Sequence, residues 1–503
     1  MQLGDLLQRI EPLRCDGDPG MEIQGLYYDS RQVQPGGLFF ALRGVDADGH
    51  RFIGSALRAG AVAVVAEDES FVPPGVPRAI VADGREAMSR AAAAFYGDPT
   101  AGVPLIGITG TNGKTTTSYL IEAIMEAAGM PAAVLGTVNY RFRDLTFPAP
   151  NTTPESVDLQ KTLRELVDAG AASIVMEVSS HALEQRRVDG CCFDVGVFTN
   201  LTRDHLDYHL TMDAYLASKA RLFNQLLSVT PGKPRRRAAV NGDDPYGPAI
   251  AAGAACPVLT YGMGAEAGVR AVNARFSVNG ITGVLVTPAG ETPFRSAMLG
   301  RFNLYNILAA ATACSALDIP LESIRRGIEG HRRVPGRLER VDNDRGITVL
   351  VDYAHTGDAL ENVLRTLREV ATARIITLFG CGGDRDPGKR PIMGGIAAGM
   401  SDLAVVTSDN PRTEDPDAII AQIRDGIVPL GLREYRPGEL AGGFTEQGFV
   451  VCASRRDAIR LAAAAARPGD ILLLAGKGHE DYQIIGRVKH HFDDREAAAA
   501  AFR

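Results

Sequence analysis

At 503 residues the chain is far longer than one domain of ordinary size, so two to four domains are expected. A composition 45% apolar and 22% charged excludes a disordered or fibrous protein. A formal net charge of −7 argues against nucleic acid or an anionic membrane as the main partner, and no apolar run is long enough to span a bilayer.

The amino terminus, Met1-Gln-Leu-Gly-Asp-Leu-Leu7, has no basic segment followed by an apolar core and does not read as a signal peptide. Seven cysteines, an odd number with no Cys-x-x-Cys pair, fit reduced thiols in a cytoplasm. Residues 1–101 mix short apolar segments, Gly37-Leu-Phe-Phe-Ala-Leu42 and Ala61-Val-Ala-Val-Val65, with alanine-rich helical pieces, which predicts a small α/β domain. Tyr28-Asp-Ser-Arg31 and Arg43-Gly-Val-Asp-Ala-Asp-Gly-His50 read as polar loops after its strands. Gly97-Asp-Pro-Thr-Ala-Gly102 marks the next boundary.

Val103, Leu105, Ile106 and Ile108 then predict a short buried strand, while Leu120, Ile121, Ile124, Met125 and Ala128 recur at helical spacing until Gly129. Between them lies Gly110-Thr-Asn-Gly-Lys-Thr-Thr116. Gly110 and Gly113 let the backbone approach a ligand without a Cβ clash, and the helix start aims N–H groups at an anion. Lys114 adds a positive charge and Thr115 a hydroxyl for phosphate-bound magnesium. Ile108 stands where the usual P-loop spacing wants its first glycine. A glycine-rich turn alone is often punctuation; strand, lysine and helix in register make it a triphosphate cradle.

Residues 102–335 continue in alternating strand and helix, which predicts a mostly parallel sheet. One strand, Ser173-Ile-Val-Met-Glu-Val-Ser179, carries Glu177, and another, Val195-Gly-Val-Phe-Thr-Asn200, leads into Arg203-Asp-His-Leu-Asp-Tyr-His209. Ligands gather at the carboxyl ends of parallel strands, so the cradle, Glu177 and His205 are expected around one crevice. Glu177 suits magnesium; His205, Asp207 and His209 suit either a metal or a plain polar loop, with zinc disfavoured for want of cysteines. The basic run Lys233-Pro-Arg-Arg-Arg237 reads as a solvated loop ahead of a strand. After the break His331-Arg-Arg-Val-Pro-Gly-Arg-Leu338, residues 336–503 carry strands at Ile347–Asp352, Arg374–Phe379, Leu403–Thr407 and Ile471–Ala475 separated by helical stretches, a doubly wound pattern.

Seven ordered motifs resemble the Mur ligase family across the whole chain: Gly110–Thr116, Asn151-Thr-Thr-Pro154, Glu177-Val-Ser-Ser-His181, Thr199–His209, Gly300-Arg-Phe-Asn-Leu-Tyr-Asn306, Pro335-Gly-Arg-Leu-Glu339 and Asp352-Tyr-Ala-His355. The resemblance implies a three-domain, ATP-dependent amide-forming ligase of peptidoglycan synthesis: a UDP-sugar domain at 1–101, a central P-loop-type ATPase domain at 102–335 and a Rossmann-like domain at 336–503. Asp409-Asn-Pro-Arg412 with Glu414-Asp415, Gly380-Cys-Gly-Gly-Asp-Arg-Asp386 and Gly476-Lys-Gly-His-Glu-Asp-Tyr482 further imply addition of meso-diaminopimelate to UDP-N-acetylmuramoyl-L-alanyl-D-glutamate. Alone, Asp-Asn-Pro-Arg is a turn; in this context Arg412 reads the distal carboxylate that lysine lacks.

By the same resemblance Gly110, Thr111, Asn112, Gly113, Lys114, Thr115 and Thr116 hold the ATP phosphates, with Asn303, Asn306, Arg337 and Asp352 around adenine and ribose. Ser30, Asn151, Thr152, Thr153, Ser179, Gln185 and Arg187 hold the UDP-muramoyl dipeptide, and Arg385, Asp409, Asn410, Pro411, Arg412, Gly476 and Glu480 the amino acid, Glu480 facing its ammonium. Lys114, Glu177, His205 and Lys219 are the catalytic set, with Mg2+ at Thr115, Glu177, His205 and a carbamylated Lys219. Gly357 departs from the family, which has proline after His-Thr. A cytoplasmic monomer that closes around an acyl phosphate is expected. The rivals are a lysine-adding ligase of the same family, a folate polyglutamylating enzyme, and a nucleotide-dependent binding protein without ligase activity.

Overall fold

In the computed structural model the described residues are 1–44, 47–228, 233, 236–331 and 333–503, so parts of the loop Arg43–His50 and of the basic run Lys233–Arg237 lie outside them. The chain forms mixed α/β structure in two compact units. The first comprises Met1–Arg270, Val286–Thr292 and Asn306–Gly327; the second comprises Ala271–Leu285, Pro293–Tyr305 and Ile328–Arg503. Among the described residues no helix is long and apolar enough to cross a membrane.

The first unit holds two sheets. A five-stranded sheet runs Arg14–Asp16, Arg78–Ile80, Ala61–Ala66, Gly37–Ala41, Gly25–Tyr27, parallel except at its first pair. Gly37–Ala41 is buried throughout, because Phe40 and Val65 meet Leu6, Ala91 and Ala92 on one face while Phe39 and Val64 meet Ile53 and Ala56 on the other. The second sheet contains Val258–Gly262, Arg237–Asn241, Val195–Phe198, Leu105–Thr109, Ser173–Glu177 and Ala132–Leu135 side by side and parallel. Two antiparallel edge strands, Tyr140–Phe142 and Leu145–Phe147, complete that side and were not foreseen from the sequence. Burial on both faces explains why the central strands are continuous apolar runs rather than alternating ones. Of the basic run, Lys233 is buried, donating to Asp194 Oδ2 at 2.6 Å and to the Val103 carbonyl, and Arg237 begins a strand.

The second unit is built on Glu339–Val341, Thr348–Asp352, Ile471–Ala475, Ile375–Phe379, Leu403–Val406, Gly448–Val451 and Arg433–Tyr435, all parallel but the first. Its strands alternate sides: Leu350, Phe379 and Leu473 pack with Leu364, Met393 and Ile423, whereas Val349, Leu378 and Leu472 pack with Ile459, Ala462 and Ala498. This is the doubly wound arrangement, with helices on both faces. The helices Arg455–Ala465 and Asp494–Ala501 are joined by an Arg455–Asp494 ion pair of 2.6 Å, both side chains fully buried.

Gly357 is the first residue of the helix Gly357–Val370, capped by the Thr356 hydroxyl, which accepts from the Ala359 N–H. Proline is at home at that position, since its missing N–H is unpaired there anyway, and Thr356 at φ −123° and ψ 159° is already in the region a following proline demands. The family's proline therefore stiffens a helix start, and the glycine relaxes it. With the exposed Ile392 side chain, whose Cγ2 lies 3.0 Å from where the new Cβ falls, swinging aside into solvent, Gly357→Pro should raise stability by about 0.4–1 kcal/mol through the unfolded chain's lost freedom; thermal or urea melts of the two proteins read this, and a destabilised variant would contradict it.

Candidate active site

The buried strand Leu105–Thr109 ends at Gly110, φ +148°, and Gly113, φ +88°, caps the helix Lys114–Ala127. A Cβ at Gly110 would collide with the Thr199 hydroxyl and one at Gly113 with the Asn306 amide, so both glycines are set by close approach. The loop is pinned by the end of the neighbouring strand. Thr111 N–H donates to the Asn200 carbonyl and Asn112 N–H to Asn200 Oδ1, each at 2.9 Å, while the Thr199 hydroxyl donates to Asn112 O at 2.7 Å. Lys114 Nζ donates to the carbonyls of Gly110, 2.8 Å, and Thr111, 2.9 Å. Lys219 Nζ donates to the same Gly110 carbonyl at 3.0 Å and lies 4.4 Å from the Tyr215 ring centre. Lys219 is 1% exposed; burial, then the neighbouring Lys114 charge, hold its ammonium well below the usual lysine range.

Glu177 closes the strand Ser173–Glu177 and is also only 1% exposed. Its carboxylate accepts from the Thr115 hydroxyl at 3.1 Å and from the Thr137 N–H and hydroxyl at 3.1 and 2.9 Å. Thr152 Oγ1 lies 3.1 Å from the Thr137 hydroxyl. Thr153 donates to the Glu177 carbonyl at 2.8 Å and accepts from Ser179 N–H at 3.1 Å. Arg187 donates to the Thr153 carbonyl at 2.9 Å and to Gln185 Oε1 at 2.7 Å, and the Asn151 carbonyl accepts from Tyr140 Oη at 2.5 Å. Thus Asn151, Thr152, Thr153, Ser179, Gln185 and Arg187 form one connected patch beside Glu177. Thr116 is buried in the cradle helix, and Ser30 is half-buried in the loop after Gly25–Tyr27, two residues from Tyr28, whose hydroxyl donates to Asp158.

The Asp/His run behaves differently from its spacing. His205, φ +52°, precedes the short helix Leu206–His209 and is exposed beside Asp204 at 3.6 Å, its ring 5.0 Å from that of His181. His209 turns inward, with Nε2 2.9 Å from Ser180 Oγ, and Asp207 is exposed. Asp207, two residues before His209, takes the opposite side of this helix, and His205 stands outside it at a left-handed φ, so the three side chains do not converge. Among the described residues no group of three or more His, Cys, Asp or Glu could hold a metal ion. The Thr115 hydroxyl and the Glu177 carboxylate are nonetheless adjacent hard oxygen donors, the kind Mg2+ takes together with phosphate oxygens.

In the second unit Asp352 is buried, accepts from the N–H groups of Leu338 and Ala354 at 2.7 and 2.8 Å, and has its carboxyl raised by burial. Arg337 lies 4.9 Å over the Tyr353 ring, and Arg337 and Asn303 line a cavity of about 610 Å³. Asn303 Nδ2 donates to the Leu299 carbonyl at 2.9 Å; Asn306, in the first unit, accepts from Thr117 at 3.5 Å.

The loop Asp409–Arg412 meets the segment after Ile471–Ala475. Arg412 sits at φ +52°, with Nη1 donating to the Gly383 carbonyl at 2.6 Å. A two-stranded hairpin, Tyr482–Ile485 and Val488–His491, is stitched to it: Arg412 N–H donates to Ile484 O at 3.1 Å and Gly486 N–H to Arg412 O at 2.7 Å. Asn410 Nδ2 donates to Glu480 Oε2 at 3.0 Å, Gly476 holds φ +111°, and Pro411 is buried. Arg385 is exposed on the adjoining loop. Sequence reading missed Thr137, Asn200 and above all Lys477, which is fully buried between Asp409, Asn410 and Glu480. Its signal was a lysine between two glycines directly after a buried strand.

Three family models match in series: "Mur ligase family, catalytic domain" at residues 22–96, "Mur ligase middle domain" at 108–314 and "Mur ligase, glutamate ligase domain" at 336–478. The chain belongs to the Mur ligase family. Among its relatives, a protein of Geobacter metallireducens named UDP-N-acetylmuramoyl-L-alanyl-D-glutamate–2,6-diaminopimelate ligase is 67% identical over all of this chain and 98% of its own. One of the same name from Geobacillus kaustophilus is 45% identical over 100% and 99% of the two chains. A solved structure of an enzyme with that name has a TM-score of 0.72 at 34% identity, covering 100% of this chain and 98% of that one.

His209 offers a test of the packing behind His205. Burial, then the His181 charge, push its imidazole down to about 4. An unfolded histidine takes its proton near pH 6.5, so between about 6.5 and 4 the unfolded state binds more protons and stability falls as pH falls. His209→Gln should lose about 1–3 kcal/mol less stability than the parent between pH 7 and 4; urea melts across that range read it, and parallel pH profiles would refute it.

Proposed function

We propose that the protein is the ATP-dependent ligase that joins meso-diaminopimelate to the D-glutamate of UDP-N-acetylmuramoyl-L-alanyl-D-glutamate, working in the cytoplasm as a monomer. The observation that carries this reading is 67% identity over the whole chain to a relative bearing that name, in a sequence that keeps each group the chemistry needs. We assign the three functional regions to 1–101, 102–335 and 336–503.

In this reading the glutamate γ-carboxylate attacks the γ-phosphorus of ATP, ADP leaves, and the resulting acyl phosphate is attacked by the diaminopimelate amine; the tetrahedral adduct expels phosphate and leaves an amide. No protein nucleophile is needed. Phosphoryl transfer depends on charge neutralisation and alignment. The N–H groups at Gly110, Thr111, Asn112 and Gly113 and at the start of the helix cradle the phosphates, and Lys114 turns from the loop carbonyls to them. Thr115, Glu177, His205 and Lys219, the last as its carbamate, would hold Mg2+, which would add neutralisation of the phosphate charge. Thr116 seats the helix; Asn303, Asn306, Arg337 and Asp352 take the nucleoside. Ser30, Asn151, Thr152, Thr153, Ser179, Gln185 and Arg187 take the UDP-muramoyl dipeptide.

Arg412, with Arg385, pairs the distal carboxylate of diaminopimelate, and Asp409, Asn410 and Glu480 take its ammonium. Removing one member of such a pair costs about 2–5 kcal/mol. Phosphate release with Mg-ATP and the UDP-dipeptide should therefore depend on meso-diaminopimelate, with lysine a poor substitute, and Arg412→Ala should raise KM for diaminopimelate roughly 30-fold or more while leaving KM for ATP near its parent value. Equal use of lysine by the parent, or an unmoved KM in the variant, would overturn the assignment.

The depressed ammonium of Lys219 leaves a neutral amine available to carbon dioxide, and carbamylation would turn a group that repels Mg2+ into one that binds it. Protein prepared in 13C-bicarbonate should show one carbamate carbon resonance, absent from Lys219→Ala, and that variant's lost activity should be partly restored by short carboxylates. An unlabelled parent protein, or a fully active variant, would end the proposal.

A further inference from the structure

Lys477 does no work in the reaction as written, yet its ammonium has been taken wholly out of water. Such a burial is costly unless opposite charge compensates it. Its partners are Asp409 Oδ1 at 3.4 Å, Asn410 Oδ1 at 3.3 Å and Glu480 Oε2 at 3.4 Å, with the Tyr482 ring centre 5.6 Å away. These sit on two loops that follow two different strands, Leu403–Val406 and Ile471–Ala475. Two other buried cations in this unit are already matched, Arg455 by Asp494 at 2.6 Å and Arg390 by Glu414 at 2.8 Å. One cation against two carboxylates leaves the cluster one negative charge in excess. Arg412, on the same loop as Asp409, presents one positive charge. The pair of charges is that of a zwitterion in mirror image: one ammonium and one carboxylate on a single carbon.

We propose that Lys477 is a positioning residue that sets the charge of the amino-acid pocket, holding Asp409 and Glu480 together with one net negative charge so that they accept the distal ammonium of the incoming amino acid while Arg412 takes the carboxylate on the same carbon. Without Lys477 the two carboxylates face each other uncompensated, and one must move away. With it they stay close and fixed. The inference rests on the diaminopimelate reading above and adds what fixes the charge of the ammonium-binding side of the pocket.

The test is a double-variant cycle with steady-state kinetics in meso-diaminopimelate and in 2-aminopimelate, which keeps the distal carboxylate but lacks its ammonium. Lys477→Met, of similar length, should raise KM for diaminopimelate at least 10-fold with KM for ATP and for the UDP-dipeptide unchanged. Asp409→Asn alone should do likewise for diaminopimelate and leave 2-aminopimelate nearly unaffected. Lys477→Met combined with Asp409→Asn restores the single negative charge and should recover at least 5-fold of the loss in Lys477→Met, which a purely packing role would not produce. Additive losses in the double variant would overturn the proposal. If Lys477→Met does not fold, Lys477→Gln takes its place alone and with Asp409→Asn, and additive losses in that pair would overturn the proposal. A parent enzyme that releases no phosphate with diaminopimelate would remove the functional reading and this inference together, whereas an active parent with an additive cycle removes the inference alone.

Discussion

A carboxylate withdrawn from water must be met by donors on every side, and the first unit is organised around one such demand, that of Glu177. Its three donors arrive from two different segments, Thr115 from the cradle helix and Thr137 from just beyond Ala132–Leu135, while its own carbonyl anchors Thr153. The phosphate loop, the strand end and the threonine patch are therefore registered against one another through a single side chain. The same side chain sets two hard oxygen donors, its own carboxylate and the Thr115 hydroxyl, beside the cradle.

Charge in the interior of both units is handled by pairing with unequal strictness. Arg455 and Asp494 cancel and act as a structural tie between two helices. Lys219 rests on a carbonyl and an aromatic face, and burial, then the Lys114 charge, depress its ammonium. Lys477 is over-compensated by two carboxylates. A neutral pair holds a fold, whereas an imbalance in either direction is a place where a ligand or a modification finds its complement.

The cradle was legible in the sequence because a backbone constraint forces residue type: the steric closeness of Thr199 and Asn306 admits only glycine at 110 and 113. The buried parallel strands were legible for a similar reason, being apolar on both faces, and the strands near 173, 195, 403 and 471 fall where the apolar runs stand. Spacing left metal site or plain loop open at His205, Asp207 and His209, because the left-handed φ of His205 and the short helix after it, which decide where the side chains go, leave no mark in the spacing. Lys477 could not be found by spacing at all, since Asp409 lies 68 positions away and only the sheet brings the two loops together. The edge strands at Tyr140–Phe142 and Leu145–Phe147 were hidden because three residues carry too little periodicity to register.

The hairpin Tyr482–Ile485 and Val488–His491 lies beyond residue 478, where the match to the glutamate ligase domain ends, yet it supplies the backbone partners that fix Arg412 in a left-handed conformation. The conformation of Arg412 is therefore set by two separated stretches of chain. Because both bonds are main-chain ones, the hairpin's backbone path rather than its side chains holds the arginine, and a chain cut anywhere between 412 and 482 would keep Arg412 but lose what bends it.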